Sequence, residues 1–581
     1  MRRRTTYIFL IFCTLVLSVI AAIGMWAQEQ NTPTLSFLVT TQEAEIPVYP
    51  YKAEDGTVHV FLPAHSTLRD VKVKINEEVR IDGAVIEDGS MLLIDDLAKI
   101  YELQTESQTV PLRFWQASNV ATLYIDTRSG NMDHVHENKD NKEHAAVSLY
   151  LSDGTLDHSD NVCTIKGRGN ATWSCRKKPY NLTLSQKGDL LGMGASTDWV
   201  LLANAMDESN LFNHLAFELS EQVSMPWTPE HAYVELYLNG SYNGLYLLTE
   251  KVQTDDTRLA LDTDAGDFLA RVEPNMRRRV LDNPILTRYD RVIDLCSPEL
   301  TTGAQRRNIE KLADSFEQSV MMAGQTAFPG QIDMESFAKR YLIDEICANI
   351  DADLASSYFF YRDGTFYAGP IWDFDMAFGN QIYNENPTAF IAKNLYRSRT
   401  FMTPYDTALL ENEQFSSLVK QLYQTQFLPI VEQWVESYIL QEAQKIQSAT
   451  QMNSVRWSEM FEKNPVTTTT AEGTVEYLIR RTDFLSSAWL QDVDYCTLQF
   501  EVTAGSSYWN ICIPKGQTLE KNFLQMGEDF RYLQLDDLDE SADWIILQTG
   551  EAFDITQPVT EDLILVQRSV QEQKEEAEYG Q

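Results

Sequence analysis

The chain alternates between stretches with a two-residue hydrophobic period and stretches with a helical period. Short apolar runs separated by Gly, Asp and Asn fill residues 34–115, among them 58–62, 71–75 and 91–94. Runs of this length and spacing are typical of the strands of a small sandwich. We therefore predict an all-β module over residues 31–117.

The following stretch, residues 118–494, changes character near its middle. Its first half predicts strands, a hairpin with its turn at 239–240, and one helix that begins near Asp207. Its second half has apolar residues at helical spacing, first after the N-cap Asp333 and then over 406–494. A β-rich half followed by a helical half predicts an α+β domain with two lobes and a cleft between them.

The C-terminal part returns to short β-type runs over residues 495–570. Residues 571–581 are polar and acidic, without the apolar positions that a packed segment needs. We predict a second small β module and then a disordered tail.

The first thirty residues have the composition of a targeting segment. Three arginines follow Met1, and a nearly uncharged run of nineteen residues extends over 8–26. That length is adequate for one membrane span and long for a cleaved signal peptide. We predict that residues 1–30 are either a retained anchor or a signal peptide. In both cases we expect the remainder outside the cytoplasm, at the cell surface or secreted.

Charge and cysteine content narrow the class of protein. A formal net charge of −38 over 581 residues argues against a nucleic-acid-binding surface, which needs basic patches. The 26 Tyr and 26 Phe indicate packed cores. Apart from Cys13, six cysteines are widely spread without a CxxC motif, which favours free thiols over a disulfide scaffold. A single disulfide, for example between Cys163 and Cys175, remains an alternative.

Residues 372–375, Trp-Asp-Phe-Asp, carry the most informative chemistry of the chain. Asp373 and Asp375 are two positions apart, and on a strand such positions face the same side. Carboxylates placed in this way bind hard cations such as Mg²⁺. A second acidic pair, Asp351 and Asp353, lies upstream.

A predicted hairpin connects the two acidic pairs. The turn dipeptide at 363–364, Asp-Gly, lies between the aromatic-rich runs 357–362 and 365–368. A two-residue turn there pairs positions whose numbers sum to 727, so that 354 lies opposite 373 and 352 opposite 375. The four acids would then converge at one end of the hairpin. The alternative is that each pair only forms caps and turns, for which Asp is also suited.

A basic segment supplies the complementary charge. Five cations lie within thirteen residues: Lys166, Arg168, Arg176, Lys177 and Lys178. Guanidinium and ammonium groups bind phosphate oxygens, and Gly167 and Gly169 let the backbone approach a ligand closely. Glu250, at the end of an apolar strand, would hold a phosphate-binding lysine in place. A solvated basic face is the alternative interpretation of the cluster.

Taken together, the motifs resemble in their order those of the CotH family, the spore coat protein H kinases. The matching segments are 166–173, 177–180, 190–193, 198–204, 238–246, 372–375 and 378–379. The resemblance covers about residues 121–494. It implies an atypical protein kinase fold, here flanked by the small all-β modules. It also implies that ATP and Mg²⁺ are used to phosphorylate Ser or Thr of secreted or coat proteins.

The resemblance also implies a nucleotide side and a catalytic side. On the nucleotide side, Lys178 would contact phosphate and Glu250 would position that lysine. Arg168 and Asn170 would line the same side.

On the catalytic side, the resemblance assigns three acids. Asp351 would be the catalytic acid group, and Asp373 would take part in catalysis as a metal ligand. Asp375 would complete the Mg²⁺ site. The partners implied are a nucleotide and a protein substrate, with no nucleic acid.

Three positions depart from the family pattern and keep a second function open. Lys166 and Phe212 stand where arginine is common, and Ser357 stands near a usual asparagine that would be a second metal ligand. The alternative is therefore a catalytically silent surface or adhesion protein on the same fold. A carbohydrate-active enzyme is a third class, but the basic segment favours phosphate.

The C-terminal module carries a separate resemblance. Residues 553–565 are similar to the Listeria–Bacteroides type repeat of bacterial surface proteins. That likeness implies a small β-grasp-like adhesion or spacer module.

Overall fold

A computed structural model describes most of the chain. The described residues are 35–41, 44–69, 71–298, 302–325, 327–352, 355–380, 386–391, 405–461, 470–503, 507–520 and 544–568. The predicted targeting segment, the acidic tail and Asp353 lie outside these residues. The described part contains both helices and sheets, which confirms the α+β class.

The strands are numbered in chain order. They are β1 Leu35–Thr40, β2 Glu45–Val48, β3 Tyr51–Lys52, β4 Val58–Leu62, β5 Val71–Ile75, β6 Val79–Ile81, β7 Ala84–Ile86, β8 Met91–Leu92, β9 Tyr101–Gln104, β10 Thr109–Gln116, β11 Ala121–Thr127, β12 Lys142–Tyr150, β13 Leu156–Gly167, β14 Tyr180–Asp189, β15 Ala195–Leu202, β16 His231–Leu238, β17 Ser241–Glu250, β18 Phe268–Glu273, β19 Pro284–Leu286, β20 Val292–Ser297, β21 Ser357–Arg362, β22 Thr365–Ala368, β23 Tyr495–Thr503, β24 Ser507–Pro514, β25 Trp544–Ile546 and β26 Leu563–Gln567.

The helices follow the same convention. They are α1 Asp133–Glu137, α2 Ala171–Ser174, α3 Phe212–Gln222, α4 Gly303–Met321, α5 Met334–Ile346, α6 Tyr405–Leu410, α7 Glu413–Leu422, α8 Leu428–Gln433, α9 Ile439–Lys445, α10 Gln447–Arg456, α11 Ser458–Phe461 and α12 Ala471–Trp489. Short 3₁₀ turns cover Asn275–Val280 and Ala323–Gln325, and π-helical turns cover Tyr423–Phe427 and Trp434–Tyr438. Within the described part, no helix has the length and apolar character that crossing a membrane requires.

The N-terminal strands form two sheets, as the alternating pattern predicted. One has the order β2-β1-β5-β8 and the other β3-β4-β10-β9-β6-β7. Phe37 from the first and Phe114 from the second pack edge to face, with ring centroids 5.5 Å apart. The predicted strands at 58–62 and 71–75 are present as β4 and β5, and the one at 91–94 is shorter.

The next strands close into a barrel with the order β11-β12-β13-β14-β15-β17-β16. Alternate residues of these strands point inward and form a separate core, with Leu182 and Trp199 fully buried. The predicted hairpin joins β16 to β17. Its turn residues Asn239 and Gly240 both have positive φ, 50° and 77°, as a tight two-residue turn requires.

The sandwich docks on this hairpin of the barrel. Tyr237 donates a hydrogen bond from its hydroxyl to the carbonyl of Phe61 at 3.0 Å, and the rings of Phe61 and Tyr242 lie 4.6 Å apart. A Cβ at Gly240 would come within 2.7 Å of the Tyr49 ring, so the close approach requires glycine there. The buried residues of the sandwich and of the later helices therefore form one continuous core.

A five-stranded sheet follows, with the order β19-β20-β18-β21-β22. The hairpin β21–β22 has the predicted register, because Phe359 pairs with Ala368 and Arg362 with Thr365. Its turn residues Asp363 and Gly364 have φ of 51° and 86°. The Asp-Gly prediction is thereby confirmed in both turn and pairing.

Two predicted helix starts can be compared with the structure. The carboxylate of Asp333 accepts a hydrogen bond from the Ser336 N–H at 2.8 Å and caps α5, as predicted. The other helix, α3, begins at Phe212 rather than beside Asp207. Asp207 still acts at its start, since its carboxylate accepts the Phe212 N–H at 2.8 Å.

The C-terminal strands form a mixed sheet, β24-β23-β26-β25, in which β23 and β26 run parallel. The resemblance of residues 553–565 to a surface repeat stays a prediction. Within the described residues no cysteine forms a disulfide, so Cys163 and Cys175 do not form the pair that the sequence left open.

Candidate functional site

The two central acids lie in a loop, which we call the acidic loop and define as residues 372–380. The strand predicted there is wrong, because Asp373 has a φ of 70° that no strand adopts. Pairing of β22 ends at Ala368, and the chain turns at Gly369, whose φ is 105°, and at Pro370, which has no N–H to continue the ladder.

The carboxyl groups of Asp373 and Asp375 nevertheless lie side by side. Asp375 is only 5% exposed. Burial is the main reason that the pKa of Asp375 lies well above its usual range. The charge of Asp373 and a hydrogen bond with it add to this rise, and Arg168 opposes it. A cation between the two carboxylates would offset the repulsion that disfavours the ionised form of Asp375. Carboxylate oxygens are what Mg²⁺ binds, so the pair fits this ion.

Asn213 on α3 holds the acidic loop in place. Its side-chain NH₂ donates to Oδ1 of Asp375 at 3.2 Å, and its carbonyl oxygen accepts the Phe374 N–H at 3.0 Å. From the other side, the Asn380 side chain donates to the Asp375 carbonyl at 3.0 Å. Asp373 in turn accepts a hydrogen bond from Ser356 Oγ at 3.1 Å. The loop is therefore fixed by polar contacts from separate elements.

Arg168 brings the basic segment to the acidic loop. Its guanidinium lies over the Trp372 ring, 5.3 Å from the ring centroid. Burial lowers the pKa of this guanidinium, while Asp373 and Asp375 favour its charged form. Close packing requires glycine at position 167, because a Cβ there would lie 2.3 Å from the Trp173 ring.

Lys177 is the second cation that faces the acids. It is fully buried, and its ammonium donates to the Leu245 carbonyl at 2.6 Å. The Tyr246 ring lies 4.7 Å from Nζ. Burial depresses the pKa of Lys177 well below its ordinary value, and the carboxylates of Asp207 and Asp375 oppose that change. The charged form of this lysine is thus favoured first by Asp207 and then by Asp375 of the acidic loop.

Lys178 and Asn170 have other neighbours. The Lys178 ammonium donates to the carbonyls of Trp173 at 2.9 Å and Cys175 at 3.3 Å. Asn170 is exposed, and its side-chain oxygen accepts from Lys139 at 3.2 Å. The Lys178 ammonium thus contacts the segment around α2, and Asn170 contacts Lys139, which precedes β12. Their roles toward a nucleotide stay predictions.

Glu250 lies at the end of β17 and pairs with Arg258. Nε of Arg258 is 3.3 Å from the carboxylate, and the Glu230 N–H donates to it at 2.9 Å. Burial raises the pKa of Glu250 to about 7, against the influence of these two partners. Among the contacts of the described residues, Glu250 and Lys178 do not form the predicted pair.

Asp351 lies in the turn that follows α5, where its N–H donates to the Asn349 side chain at 3.1 Å. The chain returns to the acidic loop shortly afterwards through Ser356. Ser357, one of the three positions that depart from the family pattern, is buried, and its hydroxyl accepts a hydrogen bond from Arg340 at 3.1 Å. The proposed catalytic role of Asp351 stays a prediction.

Several residues of this region were not identified from the sequence. Asn213 carries no local signal for this role, because its partners in the acidic loop are more than 150 positions away in the chain. Arg271 on β18 donates to Asp294 at 2.7 Å and to the Tyr358 hydroxyl at 3.3 Å. Lys177 belonged to the basic cluster that the sequence showed, but only the fold distinguishes it from Lys178.

Comparison with known families gives one match. The family described as CotH kinase protein matches residues 165–485, more than half of the chain. The matched region begins at the end of β13 and extends into α12. No curated protein matches the chain.

Proposed function

The chain belongs to the CotH kinase family, and from that premise we propose that it is an extracytoplasmic atypical protein kinase. In this proposal it transfers the γ-phosphate of ATP to Ser or Thr of secreted or surface proteins, with Mg²⁺. The barrel with its cations and the five-stranded sheet with its helices would be the two lobes. The nucleotide would lie between them.

One observation carries the proposal: the half-buried Asp373 lies beside the buried Asp375, and the charge of Asp375 acts on the half-buried Arg168 and the buried Lys177. Asp375 influences the ionisation of both Arg168 and Lys177, and Asp373 adjoins it. Phosphoryl transfer needs a carboxylate-bound divalent ion and cations around the phosphates. An adhesion surface has no need to bury opposite charges together at such a desolvation cost.

The mechanism assigns each side chain a task. Bound Mg²⁺ would neutralise the phosphate oxygens of the nucleotide. Asp373 and Asp375 would hold it, with their carboxylates oriented by Ser356 and Asn213. Arg168 would pair with phosphate oxygens through its guanidinium.

Asp351 would accept the proton of the substrate hydroxyl. As that hydroxyl oxygen forms its bond to the γ-phosphorus, the bond from phosphorus to the β–γ bridging oxygen breaks and ADP leaves. Support for Asp351 comes from its place at the end of α5, in the same turn region as Ser356, which contacts Asp373. The targeting pattern of residues 1–30 supports the extracytoplasmic location.

The test is Mg²⁺-dependent transfer of labelled γ-phosphate by the full chain onto itself or casein. We expect Asp375→Asn and Asp351→Asn each to lower the rate by about 100-fold or more, because each removes a charge that the reaction uses. Asp363→Asn is the matched control, since this exposed turn residue has a φ of 51° that Asn also adopts.

The contrary result is an absence of both ATP binding and phosphate transfer in the wild-type chain. That outcome would favour the catalytically silent surface protein. The observation that favours the silent protein is Ser357, whose hydroxyl accepts a hydrogen bond from Arg340.

A further inference from the structure

Outside the acidic loop, two histidines and a glutamate come together on the barrel side. His214 and Glu218 are four residues apart on α3, and His231 begins β16. Nδ1 of His214 lies 2.8 Å from Nε2 of His231. Oε1 of Glu218 lies 3.9 Å from Nε2 of His231. One ligand atom from each residue lies within 4.8 Å of the others. We call this group the histidine cluster.

We propose that the histidine cluster is a binding site for a transition-metal ion, with Zn²⁺ as the best match. Two imidazole nitrogens and one carboxylate oxygen are a donor set that zinc uses in proteins. The set does not suit Mg²⁺ or Ca²⁺, which prefer oxygen ligands throughout. The site is separate from the Asp373 and Asp375 pair, which offers only oxygens.

A second layer of side chains orients the three ligands. The Tyr438 hydroxyl donates to Oε2 of Glu218 at 3.0 Å, which leaves Oε1 for a metal. Oε2 of Glu442 lies 3.7 Å from Nε2 of His214. That nitrogen is buried and makes no hydrogen bond within the described residues. A carboxylate behind a metal-binding imidazole is the arrangement that fixes ring orientation in zinc sites.

Burial also favours metal binding. The side chains of His214 and His231 are 10% and 8% exposed. Burial lowers the pKa of His214 to about 3 and that of His231 to about 4, so both rings are neutral at physiological pH. The rings of Phe217 and Tyr233 lie 5.2 Å from His231 and 5.5 Å from His214 and exclude water from this side.

Two of the three ligand separations are close to those of a zinc site. Zinc bonds of about 2.0–2.1 Å in a tetrahedron separate ligand atoms by about 3.3–3.4 Å. The two histidine nitrogens at 2.8 Å would therefore move apart by roughly half an ångström, and Oε1 of Glu218 at 3.9 Å would move closer by a similar amount. Without metal, the two neutral rings share one hydrogen bond. Zinc would replace that bond and leave a fourth position for water.

The consequence would be structural. A metal ion would tie α3 to β16, directly beside Asn213, the residue that holds Asp375. Phe217 extends the connection, since its ring lies 5.2 Å from His231 and 5.9 Å from Trp372 of the acidic loop. The histidine cluster would thus fix the helix from which the acidic loop is held.

The test measures metal content, without ATP or substrate, so its outcome is independent of the proposed kinase activity. The untagged full chain is loaded with ZnCl₂, freed of excess by gel filtration and analysed by elemental mass spectrometry. We expect about one tightly held Zn²⁺ per chain. We also expect the Tm of the EDTA-treated protein to rise by about 3 °C or more when Zn²⁺ is restored. Co²⁺ in place of Zn²⁺ should give the visible bands of a four- or five-coordinate ion.

Variants assign the ion to its ligands. His231→Gln and Glu218→Gln should each lose the Zn²⁺, whereas Asp375→Asn and the control His144→Gln, an exposed histidine of β12, should keep it. The proposal is overturned if the loaded wild-type chain holds less than about 0.2 Zn²⁺ per chain and EDTA leaves its Tm unchanged. Full Zn²⁺ content in folded His231→Gln would overturn it equally. The wild-type Tm shift decides the matter even where a variant does not fold.

Discussion

The acidic loop and the histidine cluster meet at two consecutive residues, Asn213 and His214, yet they are opposite kinds of site. In the acidic loop, the charge of Asp373 disfavours the ionised form of Asp375, so this site favours a bound cation. The cluster joins two neutral rings at 2.8 Å, so it is satisfied as a hydrogen bond before any metal arrives. In our proposals, a cation would complete the first site for chemistry and would stiffen the second. Loss of metal should reduce activity in one and stability in the other.

The largest expected effect on phosphate transfer distinguishes Lys177 from Lys178 as the lysine that acts with the acidic loop. We expect Lys177→Met to lower phosphate transfer by about 100-fold, because its ammonium is buried near Asp375, and Lys178→Met to have a much smaller effect. The measurement is the initial rate of labelled phosphate transfer at saturating Mg²⁺. The reverse order of the two variants would support Lys178, the lysine predicted from the sequence, as the phosphate contact.

A smaller effect tests whether the two sites are separable. Asn213→Ala removes the contacts to Asp375 and Phe374. We expect the transfer rate to fall about 10–100-fold and the Mg²⁺ requirement to rise, as when a residue that orients a metal ligand is lost. Zinc content at the neighbouring His214 should stay at one per chain. Asn76→Ala, at an exposed site of the sandwich, is the control. Loss of zinc in folded Asn213→Ala would show that the two sites are one unit.

The smallest effect concerns Glu250, a buried acid outside both sites. Its pKa is raised from the ordinary 4.5 to about 7, so folding favours the protonated form. Its contribution to stability therefore falls as pH rises from about 4.5 through 7 and stays low above that. Glu250→Gln should show a smaller loss of Tm between pH 5 and pH 8 than the wild type. Glu87→Gln, at an exposed position, should follow the wild type; an unchanged slope in Glu250→Gln would contradict the assignment.

Local signals in the sequence predicted local structure well. The Asp363-Gly364 turn fixes the β21–β22 register because two residues with positive φ allow only one pairing. The strand predicted to follow at Asp373 and Asp375 is wrong. Gly369 and Pro370 end the ladder, so Asp373 and Asp375 come together through loop contacts instead of strand alternation.

Long-range contacts were beyond the sequence. Lys177 and Lys178 are adjacent and chemically alike, but they precede β14 in a loop whose direction the pattern does not determine. His214 and Glu218 show a helical spacing that suits one metal ion. Their third partner, His231, joins them only because α3 packs against the first residue of β16. No pattern in the sequence predicts that contact.

The docking of the sandwich on the β16–β17 hairpin limits where this protein can be truncated and how its N-terminal module can be exchanged in evolution. The family match begins at residue 165, yet the barrel closes only when β11 pairs in parallel with β16, at Ala121 with Val234. A fragment starting at the matched boundary would lack β11, β12 and most of β13 and would leave strand edges open to aggregation. One starting at residue 118 would still uncover Tyr242, which Phe61 now shields. Evolutionary exchange of the N-terminal module would thus require a replacement carrying the same aromatic face.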